Sequence, residues 1–202
     1  DFAACDRCAR GARSARPIYS PRPCAKAAQG HRQGFADMSK MIKAAMPYIG
    51  QREVPGPGVN AWIKDLWMRL PGGRWFWGEY GQDDSKLPWC GAFLARVCQD
   101  AGLPFPKRYS SALAWAEWGV PLAVPAQGCV AVLSRDGGGH VAIVTGISPD
   151  GRSVRLLGGN QGDAVSEAWF NAVRVRHWRA PAGEALDKVT VAGVGKFSQS
   201  EA

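Results

Sequence analysis

With 202 residues, 46% of them hydrophobic and 21% charged, the chain has the length and balance of one globular unit with a sizeable core and tails. No apolar run approaches the roughly 20 residues that span a bilayer, and the basic opening DFAACDRCARGARSARP lacks the apolar stretch of about 7–15 residues that marks a secretory signal. The net charge of +8 draws the protein toward anionic polymers without choosing among nucleic acid, membrane surfaces and walls. Half of it sits in residues 1–37, where seven Lys/Arg meet three Asp.

Residues 1–37 show neither a 3.6 nor a 2.0 period and are expected to be a basic tail, disordered or not native to the domain that follows. Cys5, Cys8, Cys24 and His31 carry zinc-ligand chemistry, but a single tight pair without a surrounding core is a poor zinc site, and no metal or cofactor is expected. The remaining cysteines, 90, 98 and 129, form no regular disulfide framework. That pattern fits a reducing compartment, so the expected location is cytoplasmic.

From Ser39 the pattern changes. Met41, Ile42, Ala45, Met46 and Ile49 fall on one helical face that ends near Gly50. Val54–Gly58 is a Pro/Gly loop, and Val59 to Leu70 reads as a second helix with Trp62, Leu66 and Trp67 inward, stopped by Pro71-Gly72-Gly73. Arg74 to Tyr80 reads as a loop whose aromatics serve either the core or a substrate groove. Cys90, Phe93, Leu94, Val97, Cys98 and Ala101 then repeat at three and four, a core-facing helix capped at Gly102 with Cys90 in its first turn. A shorter helix covers Ser110 to Trp118. After it the period becomes that of strands: Cys129–Ser134, His140–Ile147, Ser153–Leu157 and two more within Val165–Trp178, with a turn at Ser148-Pro-Asp-Gly151. Helices first and an antiparallel sheet second make an α+β fold, with a catalytic unit over residues 38–181 and a flexible tail over 182–202.

A thiol attacks as thiolate, and a helix N-terminus lowers the pKa of a cysteine placed there. Cys90 is so placed, Cys98 is two turns further in, and Cys129 reads as a small core residue. A hairpin centred between Pro149 and Asp150 pairs residues whose numbers sum to 299 or 300, which puts His140 opposite Gly159 or Asn160, facing backbones about 5 Å apart. At a sum of 300, Ala142 faces Gly158 and Val144 faces Leu156, and His140 and Asn160 share a face with apolar residues able to receive the Cys90 helix. The expected constellation is therefore Cys90 as nucleophile, His140 as general base and later acid, and Asn160 orienting the imidazole, with Gln161 the orienter if the register slips by one. The backbone N–H of Cys90 is a candidate oxyanion donor; Trp89 and Gln161 join it as oxyanion or substrate-binding candidates. His177 lies in the alternating basic stretch Arg174–Arg179 and reads as part of a solvated face.

Three segments, Pro88-Trp-Cys-Gly-Ala-Phe93, Gly139-His-Val-Ala-Ile-Val-Thr-Gly146 and Gly158-Gly-Asn-Gln-Gly-Asp-Ala-Val165, together resemble the cysteine, histidine-dependent amidohydrolase/peptidase (CHAP) and NlpC-type superfamily of peptidoglycan hydrolases. More narrowly, they are similar to single-domain phage or prophage lysins. The likeness runs from about Met41 to Pro181 and takes in Ile49–Gly56 and Ala168-Trp-Phe170. It implies a papain-like fold, no metal, and cleavage of a wall amide: either the bond between muramic acid and L-Ala or one within the stem or cross-bridge peptide. The third catalytic position of that superfamily varies among Asn, His, Glu and Gln, and Asp83 or Asp84 would hold a substrate amine or a structural contact. The expected partner is peptidoglycan, acted on by a monomer, with no nucleic acid and no membrane span. The rival from another class is a wall-binding or effector module on a catalytically dead papain-like scaffold.

Overall fold

The computed structural model describes residues 38–80, 83–135 and 138–198, all within one compact unit, Asp37–Ala202. The expectations for residues 1–37 lie outside the described residues.

Helix α1, Lys40–Ala45, starts where the Ser39 hydroxyl accepts the Ile42 N–H, and it buries Met41, Ile42 and Ala45. The helical face read as far as Ile49 stops short. Pro47 turns the chain into a 3-10 segment, Met46–Tyr48, and leaves Met46 and Ile49 exposed. Helix α2, Ala61–Met68, is capped by the Asn60 side chain on Trp62 N–H and sends Ile63, Leu66 and Trp67 into the core. Gly73–Tyr80, expected as a loop, is a third helix, α3. Gly72, at φ 73, breaks α2 from it, and Trp77 of the aromatic run is buried. Helix α4, Cys90–Asp100, is the most enclosed of the described helices: Cys90 to Ala95, Val97 and Cys98 are all buried. Ala112–Glu117 forms a 3-10 turn where a helix was expected.

Six strands follow: β1 Val120–Leu122, β2 Val130–Arg135, β3 Gly138–Ile147, β4 Ser153–Gly158, β5 Ser166–Asn171 and β6 Val175–Ala180. They make one antiparallel sheet in the order β1-β6-β2-β3-β4-β5. The α+β reading holds, as a helical first half packed on this sheet. Strand alternation divides the interior in two. Val141 and Ile143 of β3 face α4 together with Phe93, Val97, Val130, Val132 and Leu157. Ala142 and Val144 face the other way, against Cys129, Ala131, Leu133, Leu156 and Phe170. The body of the helix is therefore received by Val141 and Ile143 of β3 and not, as the hairpin arithmetic had it, by the side carrying Ala142 and Val144.

The described part of the segment expected as a flexible tail over 182–202 makes backbone hydrogen bonds to the sheet. Residues 182–198 form a strap laid along the sheet. Ile147 N–H donates to Thr190 O and Ala192 N–H to Ile147 O; further on, Trp169 N–H donates to Lys196 O and Ser198 N–H to Trp169 O. Leu186 and Val189 pack onto the second cluster. Backbone groups at the sheet margin need partners, and the strap supplies them. Among the described residues no helix is long and apolar enough to cross a membrane.

Candidate active site

Cys90 is the first residue of α4, where the first-turn N–H groups have no intrahelical acceptors and the helix dipole favours a negative charge. The residue is 5% exposed, at the margin of the core. Its neighbours fix it tightly. A Cβ at Gly91 would collide with the Tyr109 carbonyl, so the 109–110 backbone lies directly against the first turn. Trp89, just ahead of the thiol, is fully buried, and its indole N–H donates to Glu53 Oε1 at 2.7 Å. Glu53 in turn sits in a segment paired with the loop after β4: Glu53 N–H donates to Asp163 O, and Val165 N–H donates to Gln51 O. Burial pushes the Glu53 carboxyl above the ordinary range, and the indole hydrogen bond pulls part of the way back.

His140 stands near the start of β3, 1% exposed, its ring stacked on Phe170 at 5.7 Å between centroids and 16° between planes. Its Nε2 lies 3.0 Å from Gln161 Oε1. The polarity of that carboxamide is fixed by its other end, because Gln161 Nε2 donates to Leu156 O at 3.2 Å and to Ser166 O at 2.6 Å. Carbonyls accept only, so the amide nitrogen must face them and the oxygen must face the imidazole. The imidazole therefore donates from Nε2, and Nδ1 is the nitrogen left to exchange a proton.

The ring's Nε2 thus meets Gln161, the orienter expected if the register slipped by one, where a sum of 300 favoured Asn160. Val144 does pair with Leu156 and Ile143 with Leu157, the sum of 300, but the ladder with β4 ends before position 160. Asn160 has φ 57, a left-handed residue that turns the chain and brings the next side chain back over Gly158. A Cβ at Gly158 would sit 2.7 Å from Gln161 Oε1, while one at Gly159 would sit 2.6 Å from both Phe93 Cβ and Trp89 Cζ3. The 158–161 turn therefore touches the base of α4 on one side and the His140 partner on the other.

Two further candidates take structural positions. With no exposed surface, the Trp89 indole packs and positions and cannot touch a substrate. Asp84, 1% exposed, accepts the Asn60 N–H at 2.7 Å and belongs to the α2 entry. Burial pushes the thiols of Cys98 and Cys129 up to about 12 and about 11, so both are inert at neutral pH. Among the described residues no group of three or more His, Cys, Asp or Glu is arranged to hold a metal. Glu53 and Phe170 went unassigned in the sequence, although both lie in segments that carry the family resemblance. An acid in a loop and an aromatic in a strand give no sign of what they will touch.

A thiol at a helix N-terminus, an imidazole on an antiparallel strand and a carboxamide fixing its tautomer are the parts of a papain-like cysteine hydrolase. The comparison with known families agrees: residues 82–160, from just ahead of Cys90 to just short of Gln161, match the CHAP domain. The match covers residues 82–160 of the 202, and CHAP domains are generally cysteine, histidine-dependent amidohydrolases or peptidases. No curated protein and no solved structure matches the chain.

Proposed function

We propose that the protein hydrolyses an amide bond of bacterial peptidoglycan through Cys90, His140 and Gln161, as an N-acetylmuramoyl-L-alanine amidase or a stem or cross-bridge endopeptidase of the lysin type. The observation that carries this reading is the fixed polarity of the Gln161 carboxamide, which leaves Nδ1 of His140 as the basic nitrogen.

In the proposed reaction His140 Nδ1 takes the thiol proton, and Cys90 Sγ attacks the amide carbon. The carbonyl oxygen becomes an oxyanion, for which the backbone N–H of Cys90 is the candidate donor. The imidazolium, stabilised through Nε2–H by Gln161 Oε1, returns its proton to the leaving nitrogen as the C–N bond breaks. Water, deprotonated by the same ring, then cleaves the thioester and restores the thiol.

The test is turbidity loss of purified peptidoglycan. Cys90→Ala abolishes clearing while circular dichroism stays native, and Cys98→Ala clears as wild type does. Lysis retained in Cys90→Ala ends the mechanism, and a wild-type protein that binds the wall without clearing it favours a non-catalytic wall-binding module. Mass spectrometry of the released fragments separates new peptide termini from new lactyl termini and so decides between endopeptidase and amidase.

A further inference from the structure

A groove of about 710 Å³ opens on the 105–119 segment, lined by Phe105, Lys107, Arg108, Leu113, Glu117 and Trp118 among others. It lies beside the candidate site. Leu113, 58% exposed, has its Cδ2 3.1 Å from where a Cβ on Gly139 would be, next to His140, and the 109–110 backbone packs on Gly91, next to Cys90. Its walls are pre-formed: Trp118 Nε1 donates to Pro104 O at 2.7 Å, and Arg179 Nε donates to Trp118 O at 2.6 Å, tying the wall to β6. Lys107 and Arg108 are exposed and belong to none of the ion pairs among the described residues. Glu117 shares the lining, so the groove presents both signs with a positive balance over an apolar floor.

We infer that this groove is a specificity site for the carboxylate-bearing stretch of the substrate peptide, with Lys107 and Arg108 holding a free carboxylate and Phe105, Leu113 and Trp118 taking the aliphatic side chains. The inference rests on the hydrolase reading for its substrate. Guanidinium and ammonium donors give charge-assisted hydrogen bonds that a neutral carboxamide accepts more weakly. A peptide with more carboxylates than amines meets this lining with the right charge, and its amidated counterpart does not.

The experiment compares soluble muropeptides that differ only in carrying a free carboxylate or a carboxamide. The full-length protein is expected to show about a tenfold higher kcat/KM for the carboxylate form, expressed in KM, and the Lys107→Ala/Arg108→Ala double variant is expected to bring that ratio close to one. A wild-type ratio of one, or an unchanged ratio in the double variant, overturns the groove assignment. Calorimetric titration of the Cys90→Ala protein with the same two peptides reads the groove without turnover. Carboxylate-selective binding there, with no turnover by the wild type, keeps the groove and removes the hydrolase. Indifference to the carboxylate removes the groove whatever the turnover.

Discussion

Replacing Gln161 by Ala tests the site at its most constrained point. The carboxamide makes three hydrogen bonds in a residue 4% exposed: it accepts from His140 Nε2 and donates to Leu156 O and Ser166 O. Each buried group left without its partner costs about 1–3 kcal/mol, so the two carbonyls lower folding stability by about 2 kcal/mol or more. The third bond acts on catalysis. It strengthens when the ring becomes cationic, and a hydrogen bond to a charged group contributes about 1.5–3 kcal/mol, which corresponds to a fall in kcat of roughly 10–150-fold. Because the carboxamide touches the ring and not the substrate, the loss is expected in kcat with KM little changed. The control is Asn160→Gly, which removes the neighbouring side chain while keeping a residue that tolerates φ 57 without strain. Its kcat is expected within about twofold of wild type, a change under 0.5 kcal/mol in barrier. Steady-state kinetics on soluble muropeptides, at a temperature where both variants are shown to be folded by thermal melts, supply the comparison. A folded Gln161→Ala protein at wild-type kcat, or an Asn160→Gly protein that falls as far as Gln161→Ala, would falsify the assignment of the third residue.

Two further expectations concern the supports of the site. Gly159→Ala pushes a methyl group to 2.6 Å from Phe93 and Trp89 on a fully buried face, and overpacking of that kind costs about 1–3 kcal/mol; an unchanged urea midpoint refutes the close approach. Glu53 has a carboxyl raised by burial, so its contribution to stability is complete below the carboxyl pKa of the unfolded chain and is lost as pH rises through the raised folded value. Glu53→Gln keeps an oxygen for the Trp89 indole and removes the titration. Melting temperatures of the variant are expected to fall less than wild type across that acidic window, and parallel curves for the two proteins rule the burial argument out.

The sequence carried the architecture better than it carried the details of the site. Apolar spacing of three and four placed α4 and left Cys90 in its first turn, because a helix with a single buried face writes that face into its composition. The change to alternation found five of the six strands, but the three-residue β1, Val120–Leu122, is too short to show a period. Helix α3 escaped because Gly73 opens it and its aromatics fit a groove as well as a helix; Trp77 is buried, but one such residue sets no rhythm. Asn160 was favoured over Gln161 because counting assumes that strand pairing continues. A single left-handed residue ended it, and although asparagine adopts that conformation more readily than other non-glycine residues, most asparagines do not, so the signal is weak. The side of β3 that receives the body of the helix was misread for a related reason: alternation says which residues share a side, but not which side the helix will take.

The strap over residues 182–198 bears on how this protein behaves in company. β5 is the last strand of the sheet, and Lys196 and Ser198 occupy the main-chain groups that Trp169 would otherwise turn outward. A bare strand margin is a template on which a second molecule can add its own chain. Trimming the C-terminal segment for convenience, or fusing a bulky partner inside it, would uncover that template, and the cost would be seen first as turbidity in concentrated stocks and only later as lost activity.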